Sequence, residues 1–155
     1  MLRSRPLTLD QGVLIVDETS DLAGTNPLQP SDQQADEFYA AIAASFTPAQ
    51  LDLHTLDGDM RLADLSVYSS ILWHGNDLAS MDYPYFHQEV LREYIEAGGN
   101  IFFSTYKPSL AFDLNATYPN SFLPNSFINS VIGIGGCNLV PSARFRYATP
   151  AQDQF

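Results

Sequence analysis

Short apolar runs recur along this chain, and each ends at or just before a polar residue. The clearest runs occupy residues 13–17, 71–74 and 100–103. Runs of this length that are apolar throughout are typical of strands in a parallel sheet covered on both faces. An alternating segment at 51–54 predicts a fourth strand at an edge of the same sheet, with one face in solvent.

Helical patterns lie between these strands. An apolar stripe between residues 38 and 46 predicts a helix that begins after Ser31 or Asp32, either of which can cap it. A second helix is predicted at 86–97, where a double glycine ends it. Weaker patterns predict short helices at 109–112 and 122–131 and an extra C-terminal strand at 144–147.

The alternation of strands and helices predicts an α/β domain with three layers, α/β/α, around a mostly parallel sheet. The expected strand order is 2-1-3-4, as in flavodoxin-like domains. We interpret residues 1–10 as an N-terminal extension and residues 11–155 as a single domain, truncated at its C-terminus. This order places Asp17, His74 and Ser104 in a row along the edge of the sheet where ligands usually bind.

Composition narrows the set of partners. The 155 residues carry a net charge of -11 and only one lysine, which disfavours nucleic acids and anionic membranes. No apolar run is long enough to insert into a bilayer. Cys137 is the only cysteine, so neither an internal disulfide nor a thiolate metal site can form. The three histidines lack metal-ligand spacing, and we therefore predict no metal and no cofactor.

An acid, a base and a hydroxyl at one sheet edge are the groups used in nucleophilic hydrolysis. Ser104 would attack, His74 would accept its proton, and Asp17 would orient the imidazole. The tight turn around such a nucleophile requires small residues two positions away on each side. Phe102 and Tyr106 occupy those positions, and this favours a non-catalytic domain over a hydrolase.

The same edge could instead bind a small ligand at the point where the strand order reverses. The loops 18–30 and 75–85 would form the walls of that site. The candidate ligand-binding residues are Glu18, Gly75, Asn76, Asp77, Thr105, Tyr106 and Lys107.

Residues 13–108 resemble the class I glutamine amidotransferase-like domains. The resemblance is carried by residues 13–17, the sequence Asp-Glu-Phe-Tyr at 36–39, residues 65–68 and 71–73, and the sequence from 91 through the double glycine to 100. It is strongest to divergent, non-catalytic members that occur as modules of larger secreted or surface proteins of bacteria. In catalytic members the strand after the double glycine ends in a cysteine, whereas this chain has Ser104 or Thr105 there.

No histidine follows His87, so the downstream histidine of catalytic members has no counterpart. The resemblance therefore implies a module without amidotransferase activity, acting as a spacer or as an interaction domain. It also implies that the partners are other domains of the parent protein and that the compartment is extracellular. The N-terminal residues show no signal peptide, and the composition suits a cytoplasmic protein equally well.

Overall fold

The core of the protein is a four-stranded parallel sheet. The computed structural model describes residues 7–20, 30–75, 83–105, 111–114 and 117–138. The strands are β1 (Gln11–Asp17), β2 (Ala49–Asp52), β3 (Tyr68–Gly75) and β4 (Asn100–Thr105). All three pairings are parallel, and the order is β2-β1-β3-β4. This confirms the predicted α/β class and the 2-1-3-4 strand order.

Helices flank the sheet, and a small two-stranded sheet follows it. The helices are α1 (Asp32–Ala43), extended by a 3-10 turn at Ala44–Phe46, α2 (Leu62–Leu65), α3 (Tyr83–Phe86), α4 (Gln88–Glu96) and α5 (Phe127–Ser130). Among the described residues, no helix is long and apolar enough to cross a membrane. This second sheet is antiparallel and pairs β5 (Asn120–Ser121) with β6 (Gly136–Cys137).

Some element boundaries differ from the sequence-based prediction. The strand expected at 51–54 lies at 49–52, because the Asp52 carboxylate accepts a hydrogen bond from the His54 backbone N–H at 2.7 Å and turns the chain. The helix expected at 122–131 is helical only as α5, which begins after its capping residue Ser126. Of the helix expected at 109–112 only its last two residues are described, and the strand expected at 144–147 lies outside the described residues.

The two faces of the sheet bury different partners because successive strand residues point to opposite sides. Val16 and Trp73 belong to the larger core, with Leu91 and Tyr94 of α4. The other described members of this core are Leu14, Leu53, Met60, Leu65, Ile71, Ala111, Phe112, Phe122, Phe127 and Ile128. On the opposite face Ile15 packs against α1 through Ala35, Tyr39 and Ala43. Asp17 follows Ile15 at the two-residue repeat and so points toward α1.

A capping box fixes the start of α1. The Ser31 hydroxyl accepts a hydrogen bond from the Gln34 backbone N–H at 3.2 Å, and the Gln34 side chain accepts one from the Ser31 N–H at 2.9 Å. Both bonds satisfy N–H groups that the first turn of a helix leaves without partners. This anchors the N-terminal turns of α1 beside the carboxyl ends of β1 and β3.

The double glycine closes α4 and starts β4. Gly98 has a φ of 101°, a left-handed conformation that glycine adopts without strain. The Gly99 N–H donates to the Tyr94 carbonyl at 3.0 Å, and the Gly98 N–H donates to the Ile95 carbonyl at 2.9 Å. This is the Schellman pattern of helix termination. Tyr94 is completely buried, and its hydroxyl donates to the Tyr68 carbonyl at 2.8 Å.

We expect Gly99→Ala to destabilise the fold by about 1–3 kcal/mol, because the new Cβ would overlap the buried ring of Tyr94. Gly12→Ala is the matched control, since its Cβ would meet its nearest neighbour, the Phe46 carbonyl oxygen, at 3.6 Å, an ordinary contact. Urea unfolding followed by circular dichroism measures both free energies. Equal stability of the two variants would contradict the close approach of the Gly99 backbone to Tyr94.

Candidate functional site

The carboxyl edge of the sheet brings together the residues at which the apolar runs end. Asp17 pairs with His74 in the register of β1 and β3, and His74 pairs with Ser104 in the register of β3 and β4. Because register partners point to the same side of a sheet, all three side chains face α1. The row predicted from the sequence is therefore present.

Asp17 and His74 are in direct contact. The Nδ1 atom of His74 lies 3.3 Å from Asp17 Oδ1 and 3.1 Å from the Thr19 hydroxyl. The same Asp17 oxygen accepts a hydrogen bond from the Thr19 backbone N–H at 2.7 Å. His74 is 0% exposed, and burial lowers its pKa to about 4. The imidazole is therefore neutral near pH 7, and its Nε2 has no hydrogen-bond partner among the described residues.

Ser104 is hydrogen-bonded to a different partner. Its Oγ lies 2.6 Å from the hydroxyl of Tyr39, which reaches across from α1. The Tyr39 ring stacks on the His74 imidazole with centroids 4.2 Å apart and an interplanar angle of 10°. The structure thus joins Asp17 to His74 and Ser104 to Tyr39. It shows no hydrogen bond between Ser104 and His74, the contact that proton transfer from the serine would require.

Two carboxyl groups share this edge of the site. The carboxyl groups of Asp17 and Asp36 are neighbours, with oxygen atoms within 4.8 Å of each other. Burial, followed by the hydrogen bond to Asp17 and its charge, raises the pKa of Asp36 to about 6. Burial is also the main cause of the raised pKa of Asp17. A cavity of about 200 Å³ opens beside the pair, lined by Ile15, Asp17, Asp32, Asp36, Gln50 and Asp52.

Glu18 faces away from this cavity and supports the structure around it. Its carboxylate accepts a hydrogen bond from the Trp73 indole N–H at 2.8 Å and one from the Tyr83 backbone N–H at 3.0 Å. Its carbonyl oxygen lies 3.1 Å from Nε2 of His54. Glu18 is 2% exposed. Through its two side-chain hydrogen bonds it connects the end of β1 to β3 and to the start of α3.

The other predicted ligand-binding residues are only partly described. Gly75 and Thr105 are partners at the ends of β3 and β4, and the Thr105 hydroxyl is buried without a partner among the described residues. Most of the two loops expected to form the walls lies outside the described residues, as do Asn76, Asp77, Tyr106 and Lys107.

The sequence-based prediction missed the contribution of α1. Asp36 and Tyr39 are one helical turn apart, and both point toward the sheet edge. A signal was available, because Tyr39 shares the apolar stripe and a polar residue three positions before it lies on the same side of a helix. The prediction of no metal used the spacing of the histidines alone. One ligand atom each from Asp17, Asp36 and His74 lie within 4.8 Å of one another, which is close enough to surround a cation.

Comparison of the chain with protein-family models, with curated proteins and with solved structures yields no match. The likeness to glutamine amidotransferase-like domains therefore rests on the sequence pattern alone.

The pKa of Asp36 predicts how Asp36→Asn changes stability with pH. Between pH 3.8 and about 6 the folded protein binds more protons at Asp36 than the unfolded chain does. The contribution of Asp36 to the free energy of unfolding therefore falls as the pH rises through this range. His74 acts oppositely between about pH 4 and 6.5, since its pKa is lowered by folding. The difference between variant and wild type isolates the Asp36 contribution.

We expect Asp36→Asn to leave stability unchanged near pH 4 and to raise it near pH 7, by about 1 kcal/mol or less because water screens the partly exposed carboxyl. Urea unfolding in the presence of a chelator measures this difference. Loss of stability at pH 7 in Asp36→Asn would contradict the raised pKa.

Proposed function

We propose that this chain is a non-catalytic module of the class I glutamine amidotransferase-like type. It serves as an interaction or spacer domain of a larger extracellular bacterial protein, and its partners are other domains of that protein. The sequence resemblance and the 2-1-3-4 parallel sheet support the choice of family. The hydrogen bonding of Ser104 supports the absence of catalysis, because its Oγ is engaged by Tyr39.

An exposed apolar surface is the observation that carries the interaction role. Ile42 is 52% exposed, Phe46 is 64% exposed and Phe102 is 65% exposed. These residues line a groove of about 240 Å³ over the face of the sheet beside α1, with Val13, Ala43, Ser70, Ile71 and Leu72. We call this surface the apolar groove. Apolar surface that is contiguous and exposed marks sites of protein contact more often than chance.

The position of the apolar groove follows from the packing of α1. This helix covers Ile15 through Ala35, Tyr39 and Ala43, and it leaves the neighbouring stretch of β3 and β4 without a second helix among the described residues. Large apolar side chains on a parallel sheet are normally covered on both faces. A partner domain that packs on the groove would complete that cover.

The double variant Phe46→Lys, Phe102→Lys should reduce binding of an apolar fluorescent dye roughly twofold or more, because both rings line the apolar groove. Its free energy of unfolding should change by less than about 1 kcal/mol, since both side chains are mostly exposed. Fluorescence titration with anilinonaphthalene sulfonate measures the first quantity and urea unfolding the second.

Leu123→Lys is the matched control, because Leu123 is 71% exposed and does not line the groove. Dye binding should remain at the wild-type level in this variant. Equal dye binding by the double variant and the wild type would remove the apolar groove as the contact surface.

A second candidate is hydrolysis by Ser104, and the contact between Asp17 and His74 favours it. The Nε2 of the oriented imidazole has no hydrogen-bond partner within the described part of the chain, and it is the atom that would accept the serine proton. For this reaction Ser104 would have to leave Tyr39 and turn toward His74. Small-ligand binding at the same edge is a third alternative. The ligand would occupy the cavity of about 200 Å³ beside Asp17 and Asp36.

We expect wild type and Ser104→Ala to show the same background rates with glutamine and with p-nitrophenyl acetate, within about twofold. A wild-type rate more than about tenfold above that of Ser104→Ala would overturn the non-catalytic proposal, since removal of a nucleophile lowers the rate by several orders of magnitude. Glutamate release and absorbance of p-nitrophenolate measure the two reactions.

A further inference from the structure

We propose that Asp17, Asp36 and His74 form a binding site for one divalent transition-metal cation. Each residue offers one ligand atom, and the three atoms lie within 4.8 Å of one another. Ligands bound to a common cation at about 2.0–2.2 Å are separated by at most about twice that length. Side-chain shifts of less than about 1 Å would therefore bring the three atoms onto one ion.

The state of His74 points to a ligand. The side chain is completely buried, yet its Nε2 makes no hydrogen bond to any described residue. A buried polar atom without a partner carries a free-energy cost that a bound ligand can relieve. The ring also faces Asp17 through Nδ1 at 3.3 Å. A cation on Nδ1 would replace the contact of that atom with the Thr19 hydroxyl, whereas a cation on Nε2 would supply the partner that this nitrogen lacks among the described residues.

The charge around the three ligands favours a cation. Asp32 and Asp52 line one cavity with Asp17 and Asp36, and no lysine or arginine is among its lining residues. Four carboxyl groups around a cavity of about 200 Å³ attract positive charge strongly, because the surrounding protein screens them less than bulk water does. The cavity also provides a path from solvent to the carboxylates.

Neighbouring groups hold the ligands in position. The Thr19 backbone N–H donates to Asp17 Oδ1 at 2.7 Å, and the Thr19 hydroxyl lies 3.1 Å from His74 Nδ1. Tyr39 stacks on the imidazole and restricts its rotation. Contacts of this kind orient metal ligands and strengthen binding.

The ligand types select the class of cation. Imidazole nitrogen suits zinc, copper, iron and nickel, whereas magnesium and calcium prefer sites made of oxygen alone. One nitrogen and two carboxylate oxygens make three protein ligands, the number found in open zinc sites, in which water occupies the fourth position. We therefore expect Zn²⁺ to bind at least about tenfold more tightly than Mg²⁺. This site is independent of the interaction role proposed for the apolar groove.

Calorimetric titration of the chain with Zn²⁺ and with Mg²⁺ near pH 7.5, at physiological salt, tests the proposal. We expect one Zn²⁺ per chain, a loss of about tenfold or more in affinity for Asp36→Asn, and a loss below about threefold for Asp52→Asn. Both variants remove one carboxylate from the same cavity, but only Asp36 is a proposed ligand. Equal losses would mean diffuse attraction to acidic groups, and no binding by wild type would also overturn the site.

A second measurement on the wild type keeps the proposal testable if Asp36→Asn fails to fold. The imidazole ¹⁵N resonances of the three histidines can be followed while Zn²⁺ is added. A ring nitrogen of His74 should shift strongly at one equivalent, and those of His54 and His87 should not. Shifts at His54 or His87 with none at His74 would place the ion elsewhere and overturn the proposal.

Discussion

The register of the parallel strands determines which strand side chains face α1 at the carboxyl edge. Because β3 pairs in step with β1 and with β4, Asp17, His74 and Ser104 point to one side. Trp73 points to the other side and fills the larger core. A shift of one residue would move His74 into that core and expose Trp73. The burial of Trp73 and the position of the candidate site are thus consequences of one pairing.

Burial at this edge changes the charges of neighbouring groups in opposite senses. It lowers the pKa of His74 and raises the pKa of both Asp17 and Asp36, because each group loses water around its charged form. Between about pH 4 and pH 6 the site therefore contains a neutral imidazole beside a protonated Asp36. Ser104 takes no part in this arrangement, since it is bonded to Tyr39.

The strands and their order could be predicted from the sequence, since short apolar runs and short connections leave few possible topologies. The row of Asp17, His74 and Ser104 followed from that order. The roles of Asp36 and Tyr39 were missed: helical spacing places both residues on one side of α1, but their distance from the strand residues depends on how α1 docks on the sheet. The end of β2 was misplaced for a local reason, the turn that Asp52 makes with the following backbone.

Trp73 is the only tryptophan of the chain and is completely buried. Its indole N–H is bonded to Glu18, and its backbone neighbour in β3 is His74. The protein therefore contains a single indole fluorophore, in the residue directly before His74 of the candidate site. Its emission reports on the large core and on the sheet edge at once, without any added label.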